Sequence, residues 1–258
     1  MVTRRVRLGP METLYDHAFA CMEATVHGLA GLVPSPRLVE TKQGPAYRYE
    51  QQSEAQAIVQ KLARLASTLR AARLLLDHGF VQEAATLERV LDEISEDIWY
   101  IVGGLTSPTD RHKVFLSAFF EEEFDADTAL ASTQKRKMVP RRKIRAYIAR
   151  LISDLPDSVT NPYEAAEASR TVNKTQSGYV HGASPQIIEM YDGDPPKFHM
   201  DGMTGTVVEQ EHRNQFWNYV YRSIMVFALA AAQFGEAAGD EEIRKYANKF
   251  ARTKPGGS

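Results

Sequence analysis

The chain carries a single cysteine, Cys21, in 258 residues, so no disulfide can close within it. A chain of this length can bury a core large enough to need no covalent staple, and one thiol fits a reducing compartment. Cys21 lies in an apolar helical pattern and is expected as a small core residue. Excess charge is missing too. The 31 Lys and Arg against 33 Asp and Glu leave a formal −2. That balance excludes a general attraction to nucleic acid or membrane and confines any such attraction to a local patch. Long hydrophobic runs are also missing. The most apolar stretch, Ile224 to Ala232, has Arg222 just before it and falls well short of the about 20 residues that a membrane span needs. The charged start Met1-Val-Thr-Arg-Arg-Val-Arg is not followed by the apolar run of a signal peptide. The expectation is a soluble, cytoplasmic protein with no membrane partner. There is no internal repeat, no P-loop, no paired-cysteine zinc motif, no Gly-x-Ser-x-Gly elbow and no Rossmann fingerprint. No cofactor and no metal is therefore expected.

What is present is helical period. Hydrophobic content of 43% and charged content of 25% are those of a globular chain rather than a disordered one. Leu14, Ala18, Cys21, Thr25 and Leu29 share one face of a first helix, closed by Gly31 and Pro34. Ile58, Leu62, Leu65, Leu69, Ala72 and Leu76 form a long stripe that Gly79 interrupts. The pattern restarts with Leu87, Leu91, Ile94, Ile98 and Ile101, and the spacing predicts a stop at Gly103-Gly104. So short a break between two long helices predicts an antiparallel helical hairpin, the unit of a bundle. Phe115, Phe119 and Phe120 predict a short helix, Pro140 starts another that buries Ile144, Ile148, Leu151 and Ile152, and Asn161-Pro162 opens a further one. Two last helices are predicted from about Val207 to Phe234 and from Asp240 to Ala251. Residues 33–50 and 182–205 read as connections, the second with a strand-like Gln186–Tyr191. The fold class is all-α: a multi-helix bundle built on long antiparallel hairpins, one domain over 1–252, with 253–258 a disordered tail.

The helix that begins at Pro162 ends in Ser177-Gly178-Tyr179-Val180-His181-Gly182. At 100° per residue, Ala165, Ala168, Val172 and Tyr179 fall on one side of it. Arg170, Lys174, Ser177 and His181 fall on a line nearly opposite, with Asn173 adjoining. Two cations, a hydroxyl and an imidazole in one line could hold a phosphodiester and move a proton. The plainer alternative is a solvated polar face whose His181 favours the helix C-terminus.

Two segments carry a resemblance. Arg73-Leu-Leu-Leu-Asp-His-Gly-Phe-Val-Gln-Glu-Ala-Ala-Thr-Leu-Glu-Arg-Val-Leu-Asp-Glu and Ser177-Gly-Tyr-Val-His-Gly-Ala-Ser resemble the helical hairpin and the Ser-x-x-Val-His-Gly motif of a bacterial family of the HEPN superfamily. They cover a minority of the chain. The resemblance implies a HEPN-like bundle and, from the wider superfamily, metal-independent ribonucleases of toxin or antiviral systems whose site forms across a homodimer. In that signature an arginine precedes the histidine by four to six residues. His181 matches the histidine, but this chain has Gln176, Thr175 or Lys174 at the arginine positions, and Arg170 falls one turn early. Lysine lacks the bidentate fork of arginine, so ribonuclease activity does not carry over with the fold.

The densest charge feature is Lys135-Arg136-Lys137 followed by Arg141, Arg142, Lys143, Arg145 and Arg150, with no acidic residue between them. Such a patch suits an RNA or DNA backbone. The alternative is a solvated face partly neutralised by the acidic run Glu121–Asp127, since no aromatic ladder accompanies the basic residues. Glu209-Gln-Glu-His212 is one Glu-x-x-His, where a di-metal bundle needs two plus further glutamates.

The leading expectation is therefore a HEPN-like helical protein acting through RNA or a protein partner encoded nearby, in a toxin or antiviral context. The alternatives are a metal-independent endoribonuclease using His181 with Lys174, Arg170 and Ser177, a non-catalytic regulatory bundle, and last a di-metal oxidoreductase.

Overall fold

A computed structural model describes residues 10–41, 44–106, 110–121, 138–154, 161–235 and 240–253. The chain is mostly helical, as its periodicity predicts. Helix α1 (Pro10–Gly31) is followed by a hairpin of β1 (Arg37–Thr41) and β2 (Gly44–Arg48). Helices α2 (Glu54–Asp77) and α3 (Val81–Thr106) form the long hairpin, and α4 (Arg111–Phe120), α5 (Arg141–Ser153) and α6 (Pro162–His181) follow. A short α7 (Ser184–Ile187) and the two-residue strands β3 (Tyr191–Asp192) and β4 (Lys197–Phe198) lead to α8 (Val207–Ala232) and α9 (Asp240–Ala251). No helix of the described residues is long and apolar enough to cross a membrane.

The hairpin turn explains itself locally. Ser53 opens α2 through a capping box: its hydroxyl accepts from the Gln56 amide, and the Gln56 side chain accepts from the Ser53 amide. Gly79 sits at φ +77° between α2 and α3. The segment before α8 clasps this turn, with the Met203 amide donating to the Gly79 carbonyl at 2.8 Å. A Cβ at Gly79 would lie 2.5 Å from the Thr204 amide nitrogen, so close approach as well as backbone conformation requires glycine here. Arg213 of α8 completes the lock, donating to the Leu76 carbonyl and to Asp77 at the end of α2.

The predicted α2 stripe is buried throughout: Ile58, Leu62, Leu65, Leu69, Ala72 and Leu76. It packs with Leu91, Ile98 and Ile101 of α3, Met22 of α1, Phe216, Val220 and Phe227 of α8, and Phe250 of α9. A second, smaller apolar cluster joins Tyr100 to Ile144 and Tyr147 of α5.

Four features differ from what the spacing alone suggests. Helix α3 runs through Gly103-Gly104 to Thr106 rather than stopping there. Glycine at these positions admits neighbours: a Cβ on Gly103 would strike Leu151 and Tyr147 of α5, and one on Gly104 would strike His112 of α4. The connection 33–50 contains a β-hairpin, with Leu38 opposite Tyr47. Both side chains are more than half exposed, so no alternating burial marks it in the sequence. On α6, Val172 is 45% exposed, whereas Asn173 and Gln176 are 5% and 4% exposed. The helix docks here through amide side chains, Asn173 accepting from Arg145 of α5 and Gln176 donating to the Tyr219 hydroxyl of α8. The strand-like Gln186–Tyr191 is instead α7 and a 3-10 turn reaching only the first residue of β3. Cys21 is half-buried against the core, and burial raises its thiol pKa. The tail residues 254–258 lie outside the described residues.

Candidate nucleic-acid interface

Helix α5 is the element on which the site is built. Its apolar side, Ile144 and Tyr147, packs on Tyr100, and this fixes its rotation. One flank of the helix then meets a row of carboxylates on α3: Asp92, Glu93, Glu96 and Asp97. Arg141 pairs with Asp97, whose other oxygen accepts from Lys61 of α2 at 2.7 Å. Arg145 pairs with Glu96 at 2.7 Å and reaches the Asn173 side chain of α6 at 2.6 Å. Farther along the seam, Arg222 of α8 pairs with Asp92 at 2.7 Å and lies over the Tyr219 ring. Gln176 donates to the Tyr219 hydroxyl. Arg89 pairs with Glu93 on its own helix and donates to the Asn173 backbone carbonyl, while Arg73 pairs with Asp77.

Glu88, Asp92 and Glu96 are largely buried along this seam, and their charges respond accordingly. Burial pushes the Glu88 carboxyl up to about 8, reinforced by Asp92 nearby. Burial likewise raises Asp92 and Glu96, against the opposing pull of Arg222 and Arg145. It lowers the Lys61 ammonium although Asp97 opposes the shift. A buried pair of this kind holds elements in register more than it adds stability, because desolvation cancels most of the attraction.

The opposite flank of α5 faces an open groove of about 760 Å³. Arg142, Lys143 and Arg150 line it with Arg111 of α4; all are exposed, and among the described residues no carboxylate lines it. Among the described residues, Arg142 and Lys143 have no ion pair. Val114 and Met138, 51% and 71% exposed, supply apolar surface beside the buried rings of Tyr100 and Tyr147. The sequence showed no aromatic ladder because these tyrosines are brought together from α3 and α5, with ring centroids 5.3 Å apart. The missed residues are Arg111, Tyr100 and Tyr147. The last could have been noticed at helical spacing from Lys143.

The basic run thus divides. Arg141 and Arg145 serve the seam, Arg142 and Lys143 serve the groove, and Lys135, Arg136 and Lys137 lie outside the described residues, as does most of the acidic run that follows Glu121. The polar line of α6 is elsewhere. Arg170, Lys174 and His181 are exposed and Ser177 is half-buried. Arg170 pairs with Glu167 at 2.8 Å. Gln176, one of the positions where a HEPN arginine would stand, points inward to Tyr219 and is not available on that surface.

Glu209 and His212 do not meet as metal ligands. Glu209 accepts from the Gly205 amide and from Arg213 at the start of α8. His212 packs edge-on against Tyr179, and burial lowers its pKa. Among the described residues no group of histidine, cysteine and carboxylate side chains could hold a metal. Compared with family models, curated proteins and solved structures, the chain has no match.

Proposed function

We propose that the protein acts through RNA, holding a single strand in the groove between α4 and α5, with no catalytic step of its own. The observation that carries this reading is the asymmetry of α5. Arg142, Lys143 and Arg150 face an open groove with Arg111 and, among the described residues, without carboxylates, while Arg141 and Arg145 are neutralised inside. Exposed cations around an apolar floor suit phosphates with bases laid on Val114 and Met138. The HEPN-like resemblance of the α2–α3 hairpin and of the Ser177–His181 segment supports the same class of target, in a toxin or antiviral setting. The test is binding of a single-stranded RNA to the full chain at low salt. Affinity is expected to fall as salt rises, and to be lost in Arg142→Glu/Lys143→Glu. Absence of binding at low salt would refute the reading.

A second reading, metal-independent cleavage, draws on the exposed line Arg170, Lys174 and His181 of α6. It requires His181 to act as general acid or base. Cleavage leaving a 2′,3′-cyclic phosphate and abolished by His181→Ala would establish it; cleavage unchanged by that substitution would remove it.

A further inference from the structure

We propose that the cavity between α3, α5, α6 and α8 is a binding site for a small uncharged molecule with a fused aromatic ring and a hydrogen-bonding edge. The site is separate from the cationic groove and does not depend on the RNA reading.

The cavity has a volume of about 410 Å³, within the range of about 300–1,000 Å³ common to small-molecule sites. It lies on the other flank of α5 from the groove. Ile148 of α5 and Trp99 of α3 line it, whereas Tyr147 and Tyr100, their neighbours in sequence, line the groove. Two serines make the room. Ser95 of α3 stands one turn from Leu91 and Trp99, and Ser223 of α8 stands one turn from Tyr219 and Val226. All six line the cavity, and larger side chains at the two serines would fill it.

Leu91 and Val226 are 1% and 2% exposed and give the cavity an apolar floor. Trp99 is half-buried, and among the described residues its ring pairs with no other ring. Trp217, the other tryptophan, is stacked on Tyr221 and Phe250. An indole that lines a cavity and has no ring partner suits a flat aromatic ring laid against it.

The hydroxyls are a second observation. Elsewhere in these helices a hydroxyl turns back on its own helix: Thr68, Thr86 and Thr175 each donate to the carbonyl four residues earlier. Ser95 and Ser223 do not, and among the described residues neither hydroxyl has a hydrogen-bond partner. Ser223 is 2% exposed and lines the cavity, so a ligand there is the partner within its reach. A hydroxyl both donates and accepts, which suits a polar edge of either kind.

Charge decides for a neutral molecule. Asp92, Glu96 and Arg222 are the charged residues among the described lining. Each carboxylate already has its guanidinium: Arg222 lies 2.7 Å from Asp92, and Arg145 lies 2.7 Å from Glu96. A charged ligand would lose its hydration there and find no vacant counter-ion.

The experiment is isothermal titration calorimetry of the full chain at pH 7.5 with three probes of nearly one shape: indole-3-acetamide, indole-3-acetate and tryptamine. The neutral amide is expected to bind one to one with a dissociation constant below about 1 mM. The anionic acetate and the cationic amine are each expected to bind at least about fivefold more weakly. Trp99→Leu should weaken amide binding at least about threefold through lost stacking. Ser223→Leu should abolish it with a melting temperature equal to or above that of the parent, since the new side chain occupies the cavity. Ser95→Leu, at a half-buried position, makes the same test if Ser223→Leu does not fold. Absence of amide binding would overturn the site, as would tighter binding of either charged probe. Amide binding unchanged in a folded serine variant would overturn it as well. None of these results bears on RNA binding by the groove, so the two readings fail separately.

Discussion

The two flanks of α5 carry the same kind of side chain and use it in opposite ways. Arg141 and Arg145, four residues apart, face carboxylates of α3 and lie 34% and 16% exposed at their side chains. Arg142 and Lys143, between them in sequence, face the groove, where no described carboxylate is among the lining residues. A rotation of about 100° per residue is all that separates a structural cation from one free to meet a ligand. Charge in a sequence therefore has no meaning apart from the face on which it lands. The partner surface decides, and here it is the row Asp92, Glu93, Glu96 and Asp97.

The hardest blow to the inner flank is Asp97→Ala. It leaves Lys61, nine-tenths buried, and Arg141 without their shared acceptor. Loss of about 3–5 kcal/mol is expected in chemical denaturation, the cost of stranding buried charge. Next in size is Gly103→Ala, where the added methyl meets Leu151 and Tyr147 of α5. A loss of about 1–3 kcal/mol is expected from overpacking. Because the shift moves α5 itself, RNA affinity should fall in the same variant, which joins the two flanks through one helix.

The seam should also sense pH. Glu88 is held at about 8 against an ordinary 4.5. Its folded pKa is raised, so its contribution is fully present below about 4.5 and is lost as pH climbs toward 8. Thermal melts across that window should show stability declining with pH, and Glu88→Gln should flatten the decline. A slope unchanged by this substitution would place the titration elsewhere.

On the outer flank the stability effects are small. Arg142→Glu/Lys143→Glu should stay within about 0.5 kcal/mol of the parent, as exposed substitutions do, even though RNA binding is lost. Tyr147→Phe deletes an unpaired buried hydroxyl and should leave stability equal or up to about 1 kcal/mol higher.

Much of the frame was legible in the sequence because apolar spacing along α2 and α3 needs only helical period and a cohesive core. The hairpin turn was legible too, since Gly79 interrupts an otherwise continuous stripe. Gly103-Gly104 was not, because glycine as a breaker and glycine as a gap for Leu151 look alike without the neighbour. The inner face of α6 was not legible for a related reason: Asn173 adjoins the polar line of the helix by spacing, yet it and Gln176 turn inward because Arg145 of α5 and Tyr219 of α8 wait there to bond them. The division of the basic run could be foreseen as two faces, since i and i+4 share a side. Which face was covered could not, because the covering carboxylates come from a helix about fifty residues earlier in the chain.

The central claim is the division of labour along α5, and it is tested most directly by a crossed pair of double variants. Arg141→Ala/Arg145→Ala and Arg142→Ala/Lys143→Ala each remove two neighbouring cations from one helix. Melting temperature and affinity for a single-stranded RNA are measured on both. The account expects the first pair to lower the melting temperature markedly. It expects the second to leave melting unchanged while weakening RNA binding by more than about tenfold, with a shallower dependence on salt. Equal loss of RNA affinity in the two pairs, with neither changing the melting temperature, would contradict it.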